Sequence, residues 1–134
     1  MDRTTARACA MKLVYEWKMG GDGGDDTLTG LLEIAPGENE ADFMNEIVNG
    51  IKTCSDSLDE VITRWLNPGW SLSRISNVDH AILLVGAYEL IYTDTATGVI
   101  INEAVELAKK YSDDKAGSFV NGVLGNIGRS VRNA

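Results

Sequence analysis

The sequence is poor in the residues from which most metal and catalytic sites are built. Its 134 residues include one histidine, His80, and two cysteines, Cys9 and Cys54. A single imidazole cannot form a histidine cluster, and the cysteines form no CxxC motif, so neither a zinc site nor a disulfide framework is expected. No apolar run approaches the ~20 residues that a membrane-spanning helix needs. We expect a cytoplasmic protein without a metal, a cofactor or a membrane anchor.

Motifs for phosphate and calcium binding are missing as well. The glycine-rich segment GGDGGDD at residues 20–26 lacks the GK[ST] of a P-loop, and it lacks the spacing and final glutamate of an EF-hand. A solvated acidic loop is the simpler interpretation. We therefore expect no catalytic residue and no small-molecule substrate.

Positive charge is also scarce, with 12 Lys and Arg against 20 Asp and Glu and a net charge of −8. Nucleic-acid binding needs a basic surface, so this balance argues against it at first sight. The charge is unevenly placed, because residues 1–20 have a net charge of +2, residues 21–63 of −10 and residues 64–134 of zero. Two comparatively basic ends could still form a modest polyanion site if the fold brings them together.

Apolar residues recur at three- and four-residue steps along most of the chain, which is typical of amphipathic helices. We expect a first helix over 2–19, a short one near 28–34, one or two helices over 43–66, a central helix over 78–92 with Asn77 as its N-cap, a helix over 101–111 and a last one from about Asp114. Three glycines at three-residue spacing in the last helix predict a close approach of another backbone: Gly122, Gly125 and Gly128. No alternation typical of strands is present.

One flank of the first helix combines cations with an aromatic side chain. At 100° per residue, a second stripe runs beside the apolar one and contains Arg3, Arg7, Met11, Tyr15 and Lys18. Since no core group evidently needs Arg3 or Arg7, this flank is the first candidate for a binding surface.

Three stretches, taken in order, resemble the NusB family of transcription antitermination factors. They are RTTARACAMKLVY at residues 3–15, VDHAILLVGAYELIY at 78–92, and VIINEAVELAKKY followed by FVNGVL within 99–124. Each piece alone is weak, but their order and spacing cover nearly the whole chain. The resemblance implies an all-α single domain of about seven helices in two packed sub-bundles, about 1–68 and about 69–134.

The same resemblance implies a function without catalysis. Members of the family pair with ribosomal protein NusE, and the pair binds boxA-type single-stranded RNA of nascent rRNA transcripts within the RNA polymerase antitermination complex. Single-stranded RNA is bound through cations on phosphates and aromatic rings on unstacked bases. By position, the residues implied for RNA are Arg3, Arg7, Tyr15, Lys18, Lys115, Phe119 and Asn121, and those implied for NusE are Asp79 and His80. A role in core packing is an equal alternative for Tyr15 and Phe119.

The sequence departs from the family pattern in ways that reduce positive charge. Leu84 stands where the central helix commonly has arginine, Ser118 where a basic residue often precedes the phenylalanine, and Gly125-Asn126 where Asp-Lys often follows FVNGVL. We therefore expect weak RNA binding by the lone protein, with much of the affinity supplied by NusE.

Two other functions fit a helical module of this kind. The chain could be an RNA-binding domain related to the N-terminal domain of RNA cytosine-5 methyltransferases, which is disfavoured because the sequence ends directly after the last helix. It could also be a helical protein-interaction module without RNA binding.

Overall fold

The computed structural model describes residues 2–21 and 41–132. These ranges contain five α-helices and no strand, so the expected all-α class is confirmed. The helices are α1 (Arg3–Lys18), α2 (Ala41–Arg64), α3 (Asn77–Tyr92), α4 (Thr97–Tyr111) and α5 (Asp114–Arg132), with one 3-10 turn at Leu72–Arg74. None of these helices is long and apolar enough to cross a membrane.

The expected number of about seven helices is wrong for the described residues, which form five. Residues 41–64 form one helical element with a kink at Cys54, and the segment after Pro68 forms only a 3-10 turn. The short helix expected near residues 28–34 lies outside the described residues.

Helix α3 lies at the centre of the molecule, as its apolar sequence predicts. Ten consecutive residues, Ala81 to Leu90, are buried, and α3 packs against each of the four other helices. Each fully buried Leu or Ile side chain contributes roughly 1.5–3 kcal/mol. The buried side chains of all five helices belong to one cluster. The division into two sub-bundles stays a prediction.

Polar side chains define where three helices begin. The Asp2 carboxylate accepts from the Thr5 amide at 2.7 Å, and the Ser76 hydroxyl accepts from the Asp79 amide at 3.1 Å. The prediction of Asn77 as the cap of α3 is therefore wrong by one residue, because Ser76 has the extended backbone of an N-cap and Asn77 is already helical. Helix α5 begins in the same way after Asp113, whose carboxylate accepts from the Ala116 amide.

Helix α2 is interrupted at Cys54, whose backbone angles are φ −122° and ψ 27°. The Cys54 thiol donates to the carbonyl of Gly50 at 2.9 Å, and the Ser57 hydroxyl donates to the carbonyl of Cys54 at 3.0 Å. Side chains that bond to helix carbonyls in this way bend helices. The sequence did not distinguish between one helix and two in this region, and the structure has a single helical element with a kink.

Close packing around α3 depends on Gly50, on Gly86 and on Gly128 of the glycine series of α5. A Cβ at Gly50 would overlap the Tyr88 ring, and one at Gly86 would lie 2.6 Å from Leu124 Cδ1. A Cβ at Gly128 would lie 3.2 Å from Thr97 Cγ2 and 3.6 Å from Leu90 Cδ2. At Gly122, by contrast, no described atom lies within 4 Å of the Cβ position. The expected close approach therefore occurs at Gly128 but is wrong at Gly122, because Gly122 faces away from the core.

Arg132 closes the carboxyl end of α3. Its guanidinium donates to the carbonyls of Leu90 at 2.9 Å, Glu89 at 3.1 Å and Thr93 at 2.8 Å. The last carbonyls of a helix lack partners within the helix, and a cation there also opposes the negative end of the helix dipole. Arg132 thus ties the end of α5 to the end of α3.

Candidate nucleic-acid interface

Arg7 lies inside the core and forms an ion pair with Glu89 of α3. The Arg7 Nε donates to Glu89 Oε2 at 2.8 Å, and its Nη2 donates to Oε1 at 2.9 Å. Arg7 is 3% exposed and Glu89 1%. An unpaired charge in such a site is very unfavourable, so Glu89 needs this guanidinium. The argument that no core group needs Arg7 is wrong, and in this structure Arg7 is not open to a phosphate.

The flank of α1 expected to form a binding surface is turned inward along its middle. Met11 is 3% exposed, like Arg7, and Tyr15 is half-buried against the core. Only Arg3 at one end and Lys18 at the other are exposed. The structure therefore does not present these five residues as one continuous surface.

Both exposed cations of that flank contact another helix. The Arg3 guanidinium carbon lies 4.1 Å from the centroid of the Phe43 ring on α2, within the range of a cation–π contact. The Lys18 ammonium lies 3.7 Å from Oδ2 of Asp59, also on α2. Arg3 shares a cavity with Tyr92 at the end of α3, so the two cations lie at opposite ends of the helical core.

A second face of α1, turned toward α4, combines cations with an aromatic ring. The Thr4 hydroxyl donates to Glu103 Oε1 at 2.7 Å. Two turns later, Lys12 Nζ lies 5.0 Å from the centroid of the Tyr111 ring, and Lys110 Nζ lies 5.3 Å from it. The hydrogen bond with Lys12 is the main reason why the Tyr111 pKa is lowered below its usual value. This pair of ammonium groups on one ring forms a compact positive site.

Lys115 and Phe119 line a pocket directly after the Tyr111 end of α4. The other wall comes from the segment before α3, which contributes Trp70 and Arg74, and the pocket encloses about 460 Å³. The Trp70 and Phe119 ring centroids are 6.4 Å apart, with an angle of 36° between the ring planes. We call this site, with Asp79, the Trp70 pocket. It unites two cations and two aromatic rings, which are the groups that bind unstacked nucleotides.

Asn121, expected beside Lys115 and Phe119, lies outside this pocket. It is exposed on α5, whereas Phe119 is half-buried and packs against the core as well as lining the pocket. Core packing and RNA binding are the alternatives expected for Phe119 from sequence. In the structure its ring packs against the core and also lines the pocket.

Known proteins resemble this chain over nearly its whole length. The model of the NusB family matches residues 4–129. The transcription antitermination protein NusB of Bacillus subtilis is 43% identical, with 95% of each chain covered. The chain belongs to the NusB family.

Solved structures of family members have the same fold. T. maritima NusB matches with a TM-score of 0.80 and 31% identity, over 96% of this chain and 92% of that one. A crystal structure of antitermination factors NusB and NusE in complex with double-stranded RNA matches with a TM-score of 0.85 and 29% identity, over 96% of each chain.

Asp79 and His80, which the NusB resemblance implies as contacts to NusE, face different parts of the structure. Asp79 lines the Trp70 pocket, and burial is the main reason why its pKa is raised above the usual value. His80 instead contacts α2, where its Nε2 lies 2.7 Å from Asp59 Oδ1. The His80 side chain is 12% exposed. A partner role for either residue stays a prediction.

Sequence reasoning missed four residues of this interface: Lys12, Lys110, Trp70 and Arg74. Lys12 lies outside the stripe that was singled out on α1, and only the packing of α4 brings Lys110 and Tyr111 to it. A signal for the other two was present, since WSLSR at residues 70–74 places an aromatic residue and a cation in a short loop. Binding residues often occur on loops held by a rigid scaffold.

Proposed function

We propose that this chain is an antitermination factor that binds boxA-type single-stranded RNA of nascent rRNA transcripts together with ribosomal protein NusE. It acts by binding and without catalysis, as part of the RNA polymerase antitermination complex. The proposal is supported by the antitermination role in the names of its relatives and by the similarity to a NusB–NusE–RNA complex.

The single observation that carries the RNA-binding part is the grouping of cations and aromatic rings around the α4–α5 turn. Lys12, Lys110 and Tyr111 lie on one side of the turn, and Lys115 and Phe119 on the other. Lys12 joins this group from a distant part of the chain, whose net charge is −8. Fields that attract phosphate depend on local charge, so this cluster can bind RNA despite the acidic total.

Among the residues expected from sequence, we retain Arg3, Tyr15, Lys18, Lys115, Phe119 and Asn121 as RNA contacts and His80 as a contact to NusE. Asp79 lines the same pocket as Lys115 and Phe119, and we assign it to RNA instead of NusE. Arg7 takes a different role in the proposal. Its pairing with Glu89 positions α1 on α3, and so holds Lys12 next to Tyr111.

The test is fluorescence anisotropy with a labelled boxA-type RNA, with and without NusE, over a range of salt concentrations. We expect weak binding by the lone protein and tighter binding by the pair. Lys115→Ala should lower the affinity and reduce the salt slope by about 0.7 for a lost phosphate contact on a single strand. Phe119→Ala should weaken binding by about 1–3 kcal/mol if the ring stacks on a base.

Arg129→Ala is the matched control for Lys115→Ala. Arg129 is an exposed cation on the same helix, bonded to Asn126 and far from the pocket end. It should leave both the affinity and the salt slope unchanged. Equal losses from both variants, or equal affinity for a duplex of the same sequence, would contradict a single-stranded RNA site at the α4–α5 turn.

A further inference from the structure

The Trp70 pocket contains an aromatic residue that lies outside the buried core. The Trp70 side chain is 51% exposed and lies in the loop before the 3-10 turn, outside the buried cluster. It contacts Phe119, whose ring lines the same pocket. A large apolar ring left in the wall of a cavity is a common feature of ligand sites.

The polar groups of the pocket are of both signs. Arg74 and Lys115 contribute cations, and Asp79 and Asp113 contribute carboxylates. One oxygen of Asp113 already has a partner, because its Oδ1 accepts from the Ala116 amide at the start of α5. Oδ1 of Asp79 is buried and has no hydrogen-bond partner among the described residues. A buried acceptor without a donor is unfavourable, so a ligand that supplies an N–H would relieve it.

We propose that the Trp70 pocket receives one unstacked nucleotide of the bound RNA, with Trp70 and Arg74 as RNA contacts. The base stacks on the aromatic wall, and Arg74 and Lys115 contact the adjoining phosphates. A volume of about 460 Å³ lies within the range of small-ligand sites. This inference rests on the proposed RNA-binding function and adds the location and type of one recognised base.

The pocket carboxylate favours a base with an exocyclic amino group. Adenine, cytosine and guanine each carry an exocyclic NH₂ donor, whereas uracil has a single N–H donor, which lies between two carbonyl acceptors. Asp79 can accept from an NH₂ group, but it would be repelled by the two carbonyl oxygens that flank the uracil N–H. We therefore expect a preference for adenine, cytosine or guanine over uracil at the pocketed position.

A side chain of a partner protein is the alternative occupant. A lysine or arginine would suit Asp79 but would meet Arg74 and Lys115 in the same pocket. An acidic side chain would suit the cations but would meet Asp79 and Asp113. A nucleotide has a negative phosphate and a donor-bearing base about one sugar apart, so it satisfies both sets of groups.

The experiment measures RNA affinity of the complex with NusE, using a set of boxA-type oligonucleotides in which one nucleotide at a time is abasic. Trp70→Ala should weaken binding of the intact RNA by about 5- to 150-fold, and Trp70→Phe should restore most of it. One abasic position should weaken binding to the wild type by a similar factor and to Trp70→Ala hardly at all. That position identifies the pocketed nucleotide.

The controls separate this inference from the proposed function. Val131→Ala removes another exposed apolar side chain, at the far end of α5, and should have no effect. Asp79→Asn should reduce the preference against uracil at the identified position. Unchanged affinity in Trp70→Ala, with boxA RNA still bound, would overturn the inference and leave the proposed function intact.

Two further results would also overturn it. If Trp70→Ala weakens binding of NusE in the absence of RNA by the same factor, the pocket holds the partner protein. If the wild-type complex binds no boxA-type RNA at all, the proposed function fails and the inference fails with it. Circular dichroism and thermal melts of each variant exclude loss of folding as the cause.

Discussion

Removing one partner of the ion pair between Arg7 and Glu89 should strongly destabilise the protein. Both side chains are at most 3% exposed and are joined by two hydrogen bonds of 2.8 and 2.9 Å. Removing one partner leaves the other charge buried and unpaired, which costs about 3–5 kcal/mol. Since the whole free energy of unfolding of a domain is about 5–15 kcal/mol, Glu89→Gln or Arg7→Met should lower the melting temperature by roughly 10–20 °C.

The double variant Arg7→Met/Glu89→Met separates the charge effect from packing. It replaces both charges with unbranched apolar side chains, and such replacements are often neutral or stabilising by about 1–4 kcal/mol. Urea unfolding of the wild type, Arg7→Met, Glu89→Met and the double variant forms a complete cycle. If each single variant lowered the free energy of unfolding by less than about 1 kcal/mol, and the two effects added in the double variant, the inference of a desolvated ion pair would be refuted.

The same double variant decides how Arg7 acts in RNA binding. If Arg7 only positions α1 on α3, the folded double variant should bind boxA-type RNA with NusE as well as the wild type does. If Arg7 contacts a phosphate, affinity should fall although the protein is folded, and the salt slope should decrease by about 0.7. An alanine substitution of Arg7 alone cannot make this distinction, because it also unpairs Glu89.

Two further predictions concern stability. In urea unfolding, Gly86→Ala should lower the free energy of unfolding by about 1–2 kcal/mol, because the added methyl group would lie 2.6 Å from Leu124 and this overpacking exceeds the gain of about 1 kcal/mol in helix propensity. Gly122→Ala should instead raise the free energy of unfolding by about 0.5–1 kcal/mol, because the space around Gly122 is open. Asp79→Asn should stabilise at pH 7, because the folded-state pKa of Asp79 is raised above its unfolded value and its ionisation opposes folding. This gain should shrink as the pH falls through the folded-state pKa and vanish below the unfolded one, and a gain that grows toward acid pH would contradict the raised pKa.

The helices and their polarity were predictable from sequence. The apolar run of α3, which is buried on all sides, and the amphipathic stripes of α1, α4 and α5 follow from periodicity alone. The kink at Cys54 and the cap at Ser76 were not resolved, because they depend on which side chain bonds to which backbone group within one turn.

The candidate site was only partly predictable. Lys115 and Phe119 were implied by the NusB resemblance at the start of the last helix, and the structure brings both to one pocket. Trp70, Arg74 and Lys12 were missed, because they join the site from other segments of the chain. Asp79 was expected to face a partner protein, and its place in the pocket wall became visible only with α5 packed beside it.

The sequence by itself determined the all-α class, the membership in the NusB family and the angular position of each residue around its helix. Only the tertiary structure decided which of two arginines, four residues apart on one stripe, is open to solvent. Arg3 is exposed, whereas Arg7 is buried because Glu89, 82 positions later, lies opposite it. Periodicity specifies a direction around a helix axis, but the neighbour that lies in that direction is set by the packing of distant helices.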